Sequence, residues 1–230
     1  PERCQAAPGL LRLRLAMTKP VTEALRTATA RLGAVSATPR LDAELLLAHA
    51  LGIERGDLLL DPERYGVPEA FASLVARRLN HEPVAYIIGY RDFWTVRIGV
   101  GPGVLIPRAD SETLLEVAVT QCPPPRRILD LGTGPGTLLL AALAQWPAAS
   151  GVGVDASQTA LDYARRNAAA LGCADRAQFR LSNWGEGIEE QFDLILCNPP
   201  YIGTDEPLMA EVAGHEPGEA LFAGADGLAE

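Results

Sequence analysis

The feature that most constrains the fold is a strand pattern, Ile128-Leu129-Asp130-Leu131, that stops against Gly132-Thr133-Gly134-Pro135-Gly136 and resumes as a Leu- and Ala-rich helical pattern. A short apolar run bounded by turn residues reads as a buried strand. A strand that feeds a helix before the next strand favours a crossover over a hairpin. The pattern repeats along the chain. Gly151-Val152-Gly153-Val154-Asp155 reads as a second strand, Ser157 to Leu171 as a helix closed by Gly172, Gln178 to Leu181 as a third strand, and Phe192 to Cys197 as a fourth. This alternation predicts an α/β domain with a parallel sheet. The fourth strand, apolar with little alternation, is expected to be buried on both faces.

The preceding stretch has a different period. Val21, Leu25, Ala28 and Leu32 share one helix face before Gly33, and Leu41, Leu45, Ala48 and Leu51 line up before Gly52. A short piece over Asp57–Leu60 and a helix led by Pro68 through Phe71, Leu74, Val75 and Leu79 complete a small bundle. From Tyr86 to Gly103, aromatic and β-branched residues among glycines favour a hairpin or an extended connector. The predicted organisation is an extension over residues 1–17, with Met17 as an alternative start, then a helical domain over 18–85, a connector over 86–110 and an α/β domain over 111–230.

At 230 residues the chain has room for either one large domain or two modest ones. A net charge of −9 argues against a protein held mainly by nucleic-acid backbone. Cys4, Cys122, Cys173 and Cys197 lie far apart with no CxxC pair, so they are expected to be free thiols in a cytoplasmic protein. His49 is expected to pack or to face solvent, and with His81 and His215 also lacking partners at metal spacing, no metal is predicted. Leu10 to Ala16 is broken by arginines, and no stretch has the length of a membrane span.

The chemistry-bearing residues cluster at strand ends. A glycine turn between strand and helix lets a ligand approach backbone at a helix N-terminus. An acid at the end of the second strand, Asp155, can accept both hydroxyls of a ribose. The fourth strand ends in Asn198-Pro199-Pro200-Tyr201, where the prolines force the chain out extended. Asn198 beside a proline carbonyl offers two acceptors to a planar –NH2 group. Arg108 is open to a substrate clamp or a salt bridge with Glu112, Asp130 to orienting the turn or touching ligand, and Tyr201 to packing on an amide plane or a structural place. Asp193 reads as a solvent-facing strand start.

With Asp130 to Gly136, Asp155 and Asn198 to Tyr201 in this order, the chain resembles an S-adenosylmethionine-dependent methyltransferase acting on a planar nitrogen. More narrowly it resembles the HemK/PrmC family, the glutamine methyltransferases of peptide chain release factors. Leu105-Ile106-Pro107-Arg108, Ser111-Glu112-Thr113, Ser182-Asn183-Trp184, His215-Glu216-Pro217 with Ala220-Leu221, and Gly224 to Leu228 extend the likeness. The resemblance implies a Rossmann-like class I methyltransferase domain behind a small helical substrate-recognition domain. It implies S-adenosylmethionine, leaving as S-adenosylhomocysteine, at Gly132, Thr133, Gly134, Pro135 and Gly136. It further places Asp155 on the ribose, Trp184 by the adenine and Asn198 near both cofactor and substrate. The implied substrate is the glutamine of a Gly-Gly-Gln loop, with Asn198 and Pro199 in catalysis and Asn198, Pro199, Pro200 and Tyr201 on the substrate.

Pro135 and Ala109 depart from the usual family pattern, and Pro135 removes an N–H from the turn. Family members continue past Gly227-Leu228, so the sheet is expected to be incomplete at four strands of seven. Three other activities also suit these motifs: an adenine-N6 nucleic-acid methyltransferase, a ribosomal-protein glutamine methyltransferase, and a truncated module that binds cofactor or release factor without turnover. The acidic composition counts against the first.

Overall fold

A computed structural model of the protein describes residues 20–228; the expected extension over residues 1–17 and Cys4 lie outside them. The chain divides into two compact units between Ile88 and Gly89.

The first unit is helical. Helix α1 (Val21–Leu32) buries Val21, Leu25, Ala28 and Leu32, the stripe its spacing predicts. Helix α2 (Pro39–Leu51) opens on a proline, whose missing N–H has no helical partner in the first turn, and closes on left-handed Gly52 at φ 68°. Helices α3 (Arg55–Leu60), α4 (Ala70–Leu79) and α5 (Val84–Ile88) follow, and all of them pack on α2.

The buried face of α2 is turned from the predicted stripe of Leu41, Leu45, Ala48 and Leu51. Leu41 is exposed and Leu45 and Leu51 are half-buried, whereas Asp42, Ala43, Glu44, Leu46 and Leu47 are buried with Ala48. Arginines on other turns make this possible. Arg78 Nε donates to Asp42 at 2.8 Å, with both side chains buried. Glu44 accepts from Arg40 and, at 2.9 Å, from Arg55. A buried carboxylate is tolerated when paired and hydrogen-bonded. Burial opposes ionisation of Glu44, but the two arginines hold its carboxyl below the usual range. A second difference lies at α5. Tyr86, Ile87 and Ile88, expected to be extended, finish a helix whose first bonds run to the Pro83 carbonyl, so the unit ends later than residue 85.

The second unit begins with an antiparallel hairpin, β1 (Tyr90–Phe93) and β2 (Val96–Gly99). The chain then runs through Val104–Arg108 to a single 3-10 turn (Ala109–Ser111) and helix α6 (Glu112–Gln121). The main sheet contains β3 (Arg127–Leu131), β4 (Ser150–Asp155), β5 (Ala177–Leu181) and β6 (Leu194–Cys197), in the order β5-β4-β3-β6 with every pair parallel. Helices α7 (Thr137–Gln145) and α8 (Gln158–Ala170) form the first two crossovers. Leu138 to Leu143 of α7 are all buried, as in a helix covered on every side. A short α9 (Ala210–His215) follows β6.

Two expectations at β6 change. Leu196 is buried, but Ile195, on the opposite face of this edge strand, is 59% exposed, because the described elements cover only one face there. Asp193 is more than a solvent-facing start. Its Oδ2 accepts the backbone N–H groups of Arg126 (2.8 Å) and Arg127 (2.9 Å), which hold its carboxyl below the usual range. It thereby anchors the start of β3. From β3 the chain steps outward to β4 and β5, then returns to β6 on the other side of β3. Ligands of open α/β sheets sit at the carboxyl ends of strands flanking such a reversal.

Candidate active site

A cleft of about 820 Å³ occupies that position, lined by residues that follow β3, β4, β5 and β6. Its size is that of a small-molecule site. Gly132, Thr133, Gly134 and Pro135 line it with Asp155, and so do Trp184, Asn198 and Pro200. Gly136, Pro199 and Tyr201 do not.

The glycine turn performs several separate tasks. Gly134 has φ 56°, and a Cβ there would meet nothing within 4 Å, so the position is open to a ligand. Gly136 is different. At φ 86° its Cβ would lie 2.8 Å from Leu140 Cδ1 and 3.3 Å from Ala164, so its small size serves the packing of α7 against α8. Thr133 is buried; its N–H bonds to the Val154 carbonyl (2.9 Å) and its hydroxyl to Asp130 Oδ2 (2.6 Å). That same oxygen accepts the Leu139 N–H at 3.2 Å.

Asp130 Oδ1 is buried with no hydrogen-bond partner among the described residues, and Asp130 lines the cleft. Burial pushes this carboxyl up to about 7, against the lowering effect of Thr133 and the Leu139 N–H. Asp155, by contrast, is hydrogen-bonded through both oxygens. Its Oδ2 accepts the Gly134 N–H and its Oδ1 the Ser157 N–H, each at 2.8 Å. One carboxylate therefore ties together the turns after β3 and β4.

Trp184 adopts left-handed backbone at φ 49°, and its ring edge (Cζ3) lies 3.8 Å from the place of a Cβ on Gly132. A non-glycine residue in that region is costly, by on the order of 1–3 kcal/mol, and such residues gather at ligand sites. Asn198 Nδ2 donates to Ser111 Oγ at 3.3 Å, an orientation that leaves Asn198 Oδ1 as the free acceptor. Side chains alternate along an extended chain, so Asn198 and Pro200 face the cleft while Pro199 and Tyr201 do not, and Tyr201 is 65% exposed.

The remaining walls are joined by one buried acid. Glu216 accepts from the Ile106 N–H at 3.0 Å and from Arg108 at 2.7 Å. Arg108 is thus paired with Glu216, while Glu112 accepts the Trp94 N–H at 2.9 Å. Past the prolines, Ile202 runs parallel to Phe222, its N–H bonded to the Leu221 carbonyl and its own carbonyl to the Ala223 N–H, each at 3.0 Å. Ser111, Glu216 and Ser157 were not singled out as site residues by their spacing. Two of them carried a local signal as helix caps, Ser111 before α6 and Ser157 before α8.

Among the described residues, no group of His, Cys, Asp and Glu could hold a metal ion, and no helix is long and apolar enough to cross a membrane. Cys122, Cys173 and Cys197 are free thiols; burial, with the Asp130 charge, raises the Cys197 thiol, so it is a poor nucleophile. The cleft suits S-adenosylmethionine by its donor set. An unpartnered carboxylate oxygen on Asp130 could receive an ammonium, Asp155 a diol, and the Trp184 ring a flat base, beside a glycine with no Cβ.

Two family models match the chain, the PrmC N-terminal domain over residues 23–89 and the methyltransferase small domain over residues 107–212. The release factor glutamine methyltransferase of Rhodospirillum rubrum is 46% identical over 198 residues, which cover 83% of this chain and 60% of that protein. The protein of the same name from Caulobacter vibrioides is 43% identical over 199 residues, 83% of this chain and 69% of its own. That from Mycolicibacterium smegmatis is 43% identical over 213 residues, 90% and 75% respectively.

Proposed function

Because this chain belongs to the release factor glutamine methyltransferase family, being 43% identical to a member of which it spans 69%, we propose that it methylates the side-chain amide nitrogen of a release-factor glutamine in a Gly-Gly-Gln loop. The observation that carries this reading is the orientation of Asn198. Its Nδ2 donates to Ser111 Oγ and the residue lines the cleft, which supports Oδ1 as the acceptor offered to the substrate.

S-adenosylmethionine, when bound, supplies an electrophilic methyl carbon. Gly132, Gly134, Asp155 and Trp184 would hold it, with Asp130 Oδ1 toward its ammonium. The protein's own task is to present a poor nucleophile correctly, since an amide nitrogen delocalises its lone pair into the carbonyl. Asn198 Oδ1 accepts an amide hydrogen, turns the nitrogen toward the electrophile, and stabilises the positive charge that develops there. The Pro199 carbonyl, expected to be a second acceptor, is not part of the cleft lining, so Asn198 carries this step. Among the described residues no His or Lys lines the cleft, and the proton leaves to water after transfer.

The test uses labelled S-adenosylmethionine, unmodified release factor, and peptide mass spectrometry to locate the methyl group. Methyl on the Gly-Gly-Gln glutamine, lost in Asn198→Ala, supports the reading. A methyl group that appears instead on an adenine amine or a ribosomal protein, with release factor untouched, refutes it.

A further inference from the structure

Three glycines, Gly99, Gly101 and Gly103, lie two apart on the segment leaving the hairpin, and they abut three residues of α8 that lie four apart, Asn167, Tyr163 and Thr159. An extended chain advances about 6.6 Å in two residues, and a helix about 6.0 Å in four. The contacts therefore run antiparallel along one helix face, over an extended step from Gly99 to Gly101 and then a turn in which the Val104 N–H meets the Gly101 carbonyl at 3.4 Å. A Cβ at Gly99 would lie 2.7 Å from Asn167 Oδ1, one at Gly101 would meet the Tyr163 hydroxyl, and one at Gly103 would lie 3.0 Å from Thr159 Cγ2.

This close approach brings one side-chain amide within reach of two loops. Asn167 Oδ1 accepts the Gly99 N–H at 2.9 Å. Its Nδ2 donates to the Gly99 carbonyl at 3.0 Å and to the Pro135 carbonyl, in the middle of the glycine turn, at 2.8 Å. The reverse amide orientation would set oxygen against two carbonyls, so only one orientation satisfies the site. Asn167 is buried and does not line the cleft.

We propose that Asn167 is a positioning residue for the cofactor turn, fixing Pro135 through the same amide that grips Gly99. Hairpin placement and turn geometry are then set together, and a change at Gly99, itself outside the cleft lining, reaches the ligand. The inference rests on the reading of the cleft as an S-adenosylmethionine site.

The experiment measures S-adenosylhomocysteine affinity by calorimetry and amide hydrogen exchange of Gly134 and Gly136 in the ligand-free protein. Asn167→Asp keeps the acceptor but turns a carboxylate on two carbonyls. Gly99→Ala drives a methyl group into the Asn167 amide. Both should weaken binding about tenfold, the scale of one buried hydrogen bond, and speed exchange at the turn. Gly101→Ala presses on the Tyr163 ring, whereas Gly99 and Pro135 are held by Asn167, and should change neither. Equal affinity and exchange in all three variants, with only the melting temperature lowered, would overturn the proposal, and if Asn167→Asp fails to fold, Gly99→Ala decides it. If the native chain takes up no S-adenosylhomocysteine, the cofactor reading falls, while the exchange measurement still judges Asn167.

Discussion

Replacing Asp130 with Asn should make the second unit more stable at alkaline pH than the native protein, with the advantage growing as pH rises. The Asp130 carboxyl is raised by burial to about 7 from an ordinary value of 3.8. Between those values the native state keeps a proton that the unfolded chain has lost, so stability falls as pH rises through the window. This is the reverse of a salt-bridged carboxylate. The full effect is roughly 4 kcal/mol, at about 1.4 kcal/mol for each unit of pKa difference. From about pH 5.5 to about pH 8.5, clear of the isoelectric point, linkage gives a difference of roughly 2 kcal/mol. All three tryptophans, Trp94, Trp146 and Trp184, belong to the second unit, so their fluorescence reports on it. In urea the midpoints of native and Asp130→Asn protein should separate by roughly 1 M across that range. Midpoints that stay parallel at every pH would refute the argument that this carboxylate is strained by burial.

Other residues yield sharper contrasts. Ser111→Ala should lower kcat about tenfold with KM for S-adenosylmethionine within about twofold, since only the orientation of Asn198 is released; steady-state methyl transfer measures this. Gly134→Ala and Gly136→Ala should separate stability from binding. The first, with open space around it, costs on the order of 1 kcal/mol of backbone strain but blocks S-adenosylhomocysteine, whereas the second, pressed on Leu140, costs about 2 kcal/mol or more. Urea unfolding paired with calorimetry reads both. In the first unit, Asp42→Ala takes the buried carboxylate away from Arg78 and should cost on the order of 3 kcal/mol, measured by circular dichroism during urea unfolding.

The parts of the site that the sequence reveals are those whose signal is local. Gly132 to Gly136, Asp155 and Asn198 each sit at the end of a readable strand, and strand ends of a parallel sheet converge. The α1 stripe was legible for the same reason, because one period sufficed. What could not be read are partnerships between distant residues. Arg108 reaches Glu216 across more than a hundred positions, and Asn167 reaches Gly99 and Pro135, pairings that no periodicity encodes. The α2 face was misjudged because Asp42 and Glu44 count as polar until Arg78, Arg40 and Arg55 are brought to them. At β6 the apolar run suggested two covered faces, but coverage depends on what packs outside the strand. Likewise Tyr86 to Ile88 favour strand by residue type, yet Pro83 opens a helix there.

The clasp at Asp155 bears on how this site tolerates sequence change. The two donors that its carboxylate holds, at Gly134 and Ser157, are main-chain N–H groups. A side-chain replacement at either position leaves the donor in place as long as the backbone path survives. Ser157 can therefore drift in size and polarity without unfastening the two turns, while Gly134 is kept small by its φ of 56°. Asp155 itself has no such latitude, because a shorter, longer or neutral side chain loses one turn or the other. Selection on this corner of the protein should fall on a single side chain and on the backbone conformation of its neighbours.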